Sequence, residues 1–201
     1  EHNWWYSAGG ESAFIAFNPD DPKYVLGGSY QGTINAVELG SNEGRNMMIA
    51  PIQYQALQPK DMKYRFNWNA PIIWSKHEPD AFYHAANKLF KTTNLGKSWE
   101  VVSPDLTRND ITKLGMSGVP YTNEGAGGEN YGTIAYVLEA PNEAGVIWTG
   151  SDDGYVQLTR DGGKSWKNVT PKGLEECLIN SIEVSPHDKA TAYIATTRYK
   201  F

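Results

Sequence analysis

Short apolar runs recur along this chain in a fixed order, and each is broken by a turn. Phe14-Ile15-Ala16-Phe17 breaks at Asn18-Pro19 and resumes as Tyr24-Val25-Leu26-Gly27-Gly28-Ser29. Ile72-Ile73-Trp74-Ser75 breaks through Pro79 and resumes as Phe82-Tyr83-His84-Ala85-Ala86-Asn87. Ile134-Ala135-Tyr136-Val137-Leu138 breaks at Pro141 and resumes as Val146-Ile147-Trp148-Thr149-Gly150-Ser151. Ser181-Ile182-Glu183-Val184 breaks at Pro186 and resumes as Ala192-Tyr193-Ile194-Ala195-Thr196. Apolar runs of this length, bounded by Pro and Gly, predict strands. A third strand follows at 33–37, 89–91 and 155–158, and fourth strands open at Trp99 and Trp166. The first strands are nearly all apolar, as expected where both faces are covered. The outer strands alternate, with Lys91, Glu100, Gln157 and Lys167 turned outward.

Short antiparallel strands repeated in units of four, with unequal linkers, predict an all-β fold made of β-propeller blades. Recurrence at fixed places within each unit favours blades over a β-sandwich. The units fall at 8–50, 66–103 and 128–170, with a fourth begun at 178–201, so residues 1–201 read as a single propeller segment. A closed ring typically needs about four to eight blades. The expectation is therefore a piece of a larger propeller chain, or copies of this chain that associate and bury the open edges.

One turn repeats between third and fourth strands. Thr92-Thr93-Asn94-Leu95-Gly96-Lys97-Ser98-Trp99 and Thr159-Arg160-Asp161-Gly162-Gly163-Lys164-Ser165-Trp166 share Thr, Asp or Asn, Gly, Ser and Trp at the same spacing. The Asp or Asn side chain bonds backbone amides further along the turn, Gly supplies positive φ, and Trp pins the outgoing strand. A worn copy is expected at Gly40-Ser41-Asn42-Glu43-Gly44-Arg45-Asn46-Met47, with Met47 at the Trp position.

These turns resemble the Asp-box, or bacterial neuraminidase repeat, of sialidases, sortilin-type receptors and xyloglucan-specific glycoside hydrolases. Further matching texture lies in Trp4-Trp5, Gly9-Gly10-Glu11, Arg65-Phe66-Asn67-Trp68, Ser103-Pro104-Asp105-Leu106-Thr107 and Gly150-Ser151-Asp152-Asp153-Gly154. Over essentially its whole length the chain is similar to large secreted bacterial proteins with sortilin-like propellers, often grouped with glycosyl hydrolases. The resemblance implies a secreted or cell-envelope location in a bacterium. It also implies that the Asp-boxes lie at the blade periphery, with the second-to-third-strand turns and the between-blade connections sharing the opposite face. Thr92, Asn94, Gly96, Trp99, Thr159, Asp161, Gly163 and Trp166 are then structural. The motif speaks for fold and hardly at all for activity.

Composition narrows the classes further. Among 201 residues, 40% are hydrophobic, with seven Trp and twelve Tyr, which is a globular composition; 20 Gly and 11 Pro suit many turns. A net charge of −5 and the absence of any Lys/Arg cluster argue against a nucleic-acid binder. No run of eighteen apolar residues exists to span a membrane. Cys177 is the sole cysteine, so no internal disulfide forms, and neither a metal set nor a cofactor motif is visible. The start, Glu1-His2-Asn3, has no initiator Met and no basic-then-apolar leader, as in a trimmed or excised chain. His77 and His187 read as turn residues, and His2 and His84 have no metal-ligand spacing.

The linkers at 40–70 and 106–132 far exceed common loop lengths and are where function is expected. Glu11 and Glu129 each end a Gly-Gly-Glu entry to a first strand, and Asp152 and Asp153 sit in a second-to-third-strand turn; these four are the candidate catalytic carboxylates. The same acids also suit plain turn fixing. Arg65, Asn67 and Trp68 combine a cation, an amide and an aromatic, as sugar or peptide recognition requires. Tyr30, Asn87 and Arg198 join them as ligand-binding candidates, while Trp4, Trp5 and Tyr6 suit a stacking platform or the interface to another blade. Three functions follow: a glycan- or protein-recognition scaffold, a glycoside hydrolase with paired carboxylates, or a purely architectural segment. Sialidases of the resembling type carry an Arg-Ile/Leu-Pro segment and an arginine triad, and neither is visible among Arg45, Arg65, Arg108, Arg160 and Arg198. The recognition scaffold is the leading expectation.

If the turn at 159–166 is structural, Asp161→Ala lowers the thermal midpoint and leaves ligand binding intact. Lost binding at an unchanged midpoint would contradict that role.

Overall fold

The computed structural model describes residues 7–11, 14–52, 54, 57–115 and 129–198. His2, Trp4, Trp5, Tyr6 and the Ala126-Gly127-Gly128 run lie outside the described residues. The first blade is β1 (Ile15–Phe17), β2 (Tyr24–Gly28), β3 (Ile34–Glu38) and β4 (Gly44–Asn46). The second is β5 (Ile72–Trp74), β6 (Phe82–Ala85), β7 (Leu89–Thr92) and β8 (Glu100–Val101). The third is β9 (Ile134–Glu139), β10 (Ile147–Ser151), β11 (Val156–Thr159) and β12 (Lys167–Asn168). β13 (Leu178–Val184) and β14 (Ala192–Thr197) form a two-stranded fourth unit. Every sheet is an antiparallel meander in chain order. The fold is the all-β propeller arrangement that the apolar doublets predict.

The core lies between blades, because each sheet alternates its side chains to two neighbours. Ala16, Leu26, Ile34 and Ala36 of the first blade meet Ile72 and Phe82 of the second. Tyr83, Ala85 and Leu89 meet Ile134, Val137 and Ile147 in the next seam. Trp148, Val156 and Leu158 meet Ile179 and Ile182 in the last. Close approach there needs glycine: a Cβ on Gly150 would stand 2.4 Å from Ile179. The expectation that first strands are covered on both faces fails at β1. Ala16 packs on the second blade, while Ile15 and Phe17 on the opposite face are 53% and 46% exposed.

The repeated turn ties the first two seams at their periphery. Asp161 Oδ1 accepts the Thr159 hydroxyl at 2.7 Å and the Ser165 amide at 2.9 Å, and Gly163 N–H donates to Thr159 Oγ1 at 3.0 Å. Asn94 accepts the Thr92 hydroxyl and the Ser98 amide, each at 3.0 Å, and Gly96 N–H donates to Thr92 Oγ1. The tryptophan that closes each turn reaches back to the preceding blade. Trp99 Nε1–H donates to the Met47 carbonyl at 2.8 Å, and Trp166 Nε1–H to the Val102 carbonyl at 2.9 Å. Gly163 has φ +96°, and a Cβ there would lie 2.4 Å from that Val102 oxygen. Ser165, ahead of the turn's own hydroxyl and backbone partners, holds the exposed Asp161 carboxyl down to about 2.

Strand register corrects the worn copy. Met47 N–H bonds the Ile34 carbonyl as Val102 N–H bonds that of Leu89, so Met47 corresponds to Val102. The tryptophan position in the first blade, three residues earlier, is Gly44. The β3–β4 hairpin closes instead through Gly40 and Asn42, both at positive φ, with Glu38 N–H on the Glu43 carbonyl.

His84 is fully buried in β6, with Nδ1 2.8 Å from the Pro71 carbonyl and the Phe66 ring stacked 5.2 Å away. That carbonyl can only accept, so Nδ1 carries the proton. Nε2 makes no hydrogen bond of normal geometry among the described residues. Burial lowers its pKa to about 4 from 6.5, with the Pro71 and Gly32 backbone contacts opposing. A depressed folded-state pKa gives stability that is present above pH 6.5 and lost as pH falls toward about 4.

Urea unfolding at stepped pH is thus expected to show roughly 3 kcal/mol of stability lost across that window beyond any carboxylate effect. His84→Gln should flatten that part of the profile. For the seam tie, Trp166→Phe should cost about 1 kcal/mol, the net worth of one hydrogen bond. Gly163→Ala should cost more, about 1–3 kcal/mol of backbone strain with the Val102 clash added. Gly163→Ala unfolding at the wild-type midpoint would contradict the packing described.

Candidate functional site

The face opposite these ties carries the second-to-third-strand turns and the inter-blade linkers. Long linkers have few strand partners for their amides, so side chains of the turns supply acceptors. Gln31 Oε1 accepts the Tyr54 amide at 3.2 Å, Asn87 Oδ1 the Arg65 amide at 3.1 Å, and Asp153 Oδ2 the Arg108 amide at 2.8 Å. One device therefore recurs on three blades. Arg108 also donates from Nε to the Asp153 carbonyl and lies over the Tyr155 ring, 4.5 Å from its centroid.

Arg65 is buried beneath this face. Its Nε donates to the Gly132 carbonyl at 3.0 Å, and its Nη2 to Asp105 Oδ2 at 2.7 Å and Thr107 Oγ1 at 3.3 Å. Asn87 Nδ2–H donates to the same Asp105 oxygen at 2.8 Å, and the Thr107 hydroxyl and amide bond the other. Burial would raise the Asp105 pKa, but the Thr107 and Asn87 bonds and the Arg65 charge leave it below the ordinary value. Asn67 Nδ2–H donates to Thr133 Oγ1 at 2.9 Å, and Thr133 bonds both Asp152 carboxylate oxygens, through its amide at 2.8 Å and its hydroxyl at 2.9 Å.

The candidate residues therefore separate. Arg65, Asn67 and Asn87 hold linkers together. Asp152 and Asp153 are 3% and 1% exposed, and Ser151 Oγ–H donates to Asp153 Oδ1 at 2.5 Å. Burial pushes the Asp153 carboxyl up, against the Ser151 and Arg108 bonds. Glu11 is exposed at the entry to β1, and its carbonyl accepts the Ser29 hydroxyl at 3.3 Å. Glu129 is half-buried before β9. Arg198 is exposed past β14 and pairs with Glu175 at 2.5 Å. Trp68 is 41% exposed, and the Tyr30 ring lies beside it at 6.2 Å and 36°.

Trp68 also lines a cavity of about 260 Å³ where the innermost strands begin, together with Phe14, Asn69, Ala135, Leu178 and Asn180. Every blade contributes to this mouth. Phe14, Asn69 and Asn180 escape sequence reasoning as site residues because none belongs to a motif: Phe14 reads as strand, Asn180 lies within β13, and Asn69 sits in the linker before β5. Asp105 and Thr107 were within reach: Asp followed by Thr two residues later marks an Asx turn. Among the described residues no group of His, Cys, Asp or Glu could hold a metal ion. No helix among them is long and apolar enough to cross a membrane.

No protein-family model and no curated protein matches the chain. Solved structures do. One is YCF48 bound to D1 peptide, with a TM-score of 0.50 and 11% identity, over 91% of this chain and 47% of that one. Another is an ancestral GH74 enzyme, with a TM-score of 0.57 and 17% identity, over 94% of this chain and 22% of that one. Both are propeller-type proteins, and identities this low carry the likeness of fold alone. This chain spans about half the length of the first and about a fifth of the second.

Removing one partner of this largely buried ion pair leaves the other without its counter-charge. Arg65→Ala is expected to lower the unfolding free energy by about 3 kcal/mol in urea titration. The double change Arg65→Ala with Asp105→Asn should recover part of that loss. Purely additive effects would mean the two side chains are not coupled.

Proposed function

We propose that this chain is part of an Asp-box β-propeller that serves as a recognition scaffold, holding a glycan or protein ligand at the mouth lined by Trp68. The observation that carries this reading is the exposed Trp68 beside Tyr30, at the rim of a cavity to which every blade contributes. A large aromatic side chain left exposed on a rigid turn offers stacking area at little further entropy loss. Asn69 beside it offers an amide group, and the Arg65–Asp105 network beneath keeps the platform fixed. The backbone around Trp68 is held too: Asn69 N–H donates to Asn67 Oδ1 at 3.0 Å.

In this reading Asp152 and Asp153 fix a turn, since their oxygens are committed to Thr133, Ser151 and Arg108. A hydrolase would then rest on Glu11 and Glu129. We assign the uncovered face of β1, with Ile15 and Phe17, to a neighbouring blade, either further along a longer chain or on another copy. An extracytoplasmic setting, at the bacterial surface or in the periplasm, fits such a scaffold.

A glycan array and a peptide array probed with the complete protein test this. Trp68→Ala should weaken binding by at least about 2 kcal/mol, roughly thirtyfold, with the thermal midpoint unchanged. Glu11→Gln and Glu129→Gln should leave binding and any turnover as they are. Binding indifferent to Trp68, or hydrolysis abolished by either glutamine variant, would overturn the proposal.

A further inference from the structure

A larger concavity lies on the other face, in the seam between the first and second blades. It encloses about 440 Å³, within the range of about 300–1,000 Å³ typical of small-ligand sites. Tyr24, Phe82 and Leu95 give it an apolar lining. Each end is bridged from the first blade to the second. Asn18 Nδ2–H donates to the Pro79 carbonyl at 3.4 Å, which also accepts Trp74 Nε1–H at 2.8 Å. Arg45 Nη2–H donates to the Leu95 carbonyl. The slot is therefore held open by contacts already made.

Its charges are sorted by position in the blades. Asp21 and Asp80 belong to the turns after β1 and β5, the innermost strands. Arg45 lies on β4 and Lys97 in the turn before β8, both at the blade periphery. The slot thus has an acidic inner end and a basic outer end. Asp21, Asp80 and Lys97 form no ion pair among the described residues, although opposite charges line the same groove.

Backbone strain marks the same place. Leu95 adopts φ +52°, where the equivalent position of the third blade is Gly162 at φ +70°. A branched side chain in that region is strained and is retained where its surroundings fix it. Here Arg45 fixes the Leu95 carbonyl, and the Leu95 side chain packs into the first seam.

We infer that this seam slot is a second ligand site, distinct from the mouth at Trp68, that takes a short peptide segment carrying a basic group toward the centre and an acidic group toward the rim. Sugar hydroxyls can bond a carboxylate or an ammonium group but carry no charge opposite to either end, whereas an oppositely charged group adds a charge-assisted bond at each. A polyanion meets Asp21 and Asp80, and a polycation meets Arg45 and Lys97. Only a dipolar ligand satisfies both ends.

The probe is acetyl-Lys-Gly-Gly-Glu-amide, titrated into the isotope-labelled complete chain and followed by amide chemical shifts. Shifts are expected at Asp21, Asp80, Leu95 and Lys97. Affinity should fall about tenfold in Asp80→Asn and in Lys97→Gln, each about 1.4 kcal/mol, and fall with added salt. Trp68→Ala, which disables the other site, should leave this binding unchanged. The inference is overturned by equal binding of the Gln-for-Lys and Gln-for-Glu peptide or of maltotetraose. It is overturned equally by shifts confined to the Trp68 face, or by no shift up to millimolar peptide.

Discussion

A single hydrogen bond, from an indole N–H of one blade to a carbonyl at the outer edge of the blade before it, sets the geometry on which everything else rests. It occurs at Trp99 with Met47 and again at Trp166 with Val102. The chemistry that places it is local. Thr159, Asp161 and Ser165 close the turn on themselves, and Gly163 lets the backbone press against the neighbouring strand end. The second blade is thereby indexed to the first and the third to the second, and the apolar faces between them meet in register. Separate sheets this small would be marginal alone.

With the periphery fixed, the opposite face is free to carry long connections. They remain ordered because turn side chains stand in for a missing strand. Gln31, Asn87 and Asp153 each accept a linker amide. The Arg65–Asp105 pair sits at the centre of this arrangement. Such a pair gives little net stability over an apolar substitute, yet it tolerates few alternative geometries. That is a suitable support for an exposed aromatic platform, whose value to a ligand depends on being already in place.

How much of this the sequence disclosed depends on the range of the contacts involved. The blades were legible because strand pairing follows a pattern of adjacent apolar runs, and the turns because their chemistry is complete within eight residues. The alignment of Met47 with a tryptophan failed where residue similarity was followed in place of strand register, which three residues of offset change entirely. Arg65, Asn67 and Trp68 are neighbours in sequence but part company in space: two are buried among hydrogen bonds and one faces outward. Whether an Asp at a turn points into or out of the protein is set by what the next linker brings, here the amides of Arg108 and Thr133. The seam slot was invisible for the same reason, being assembled from three turns and three strands of two blades.

The most direct measurement of this account is hydrogen exchange at the indole nitrogens, resolved by NMR. Trp99 and Trp166 should exchange only when their seams open, both far more slowly than a free indole and together with the strand amides of β7 and β11. Indole protons of Trp99 or Trp166 that exchange at the free-indole rate, while β7 and β11 stay protected, would contradict it.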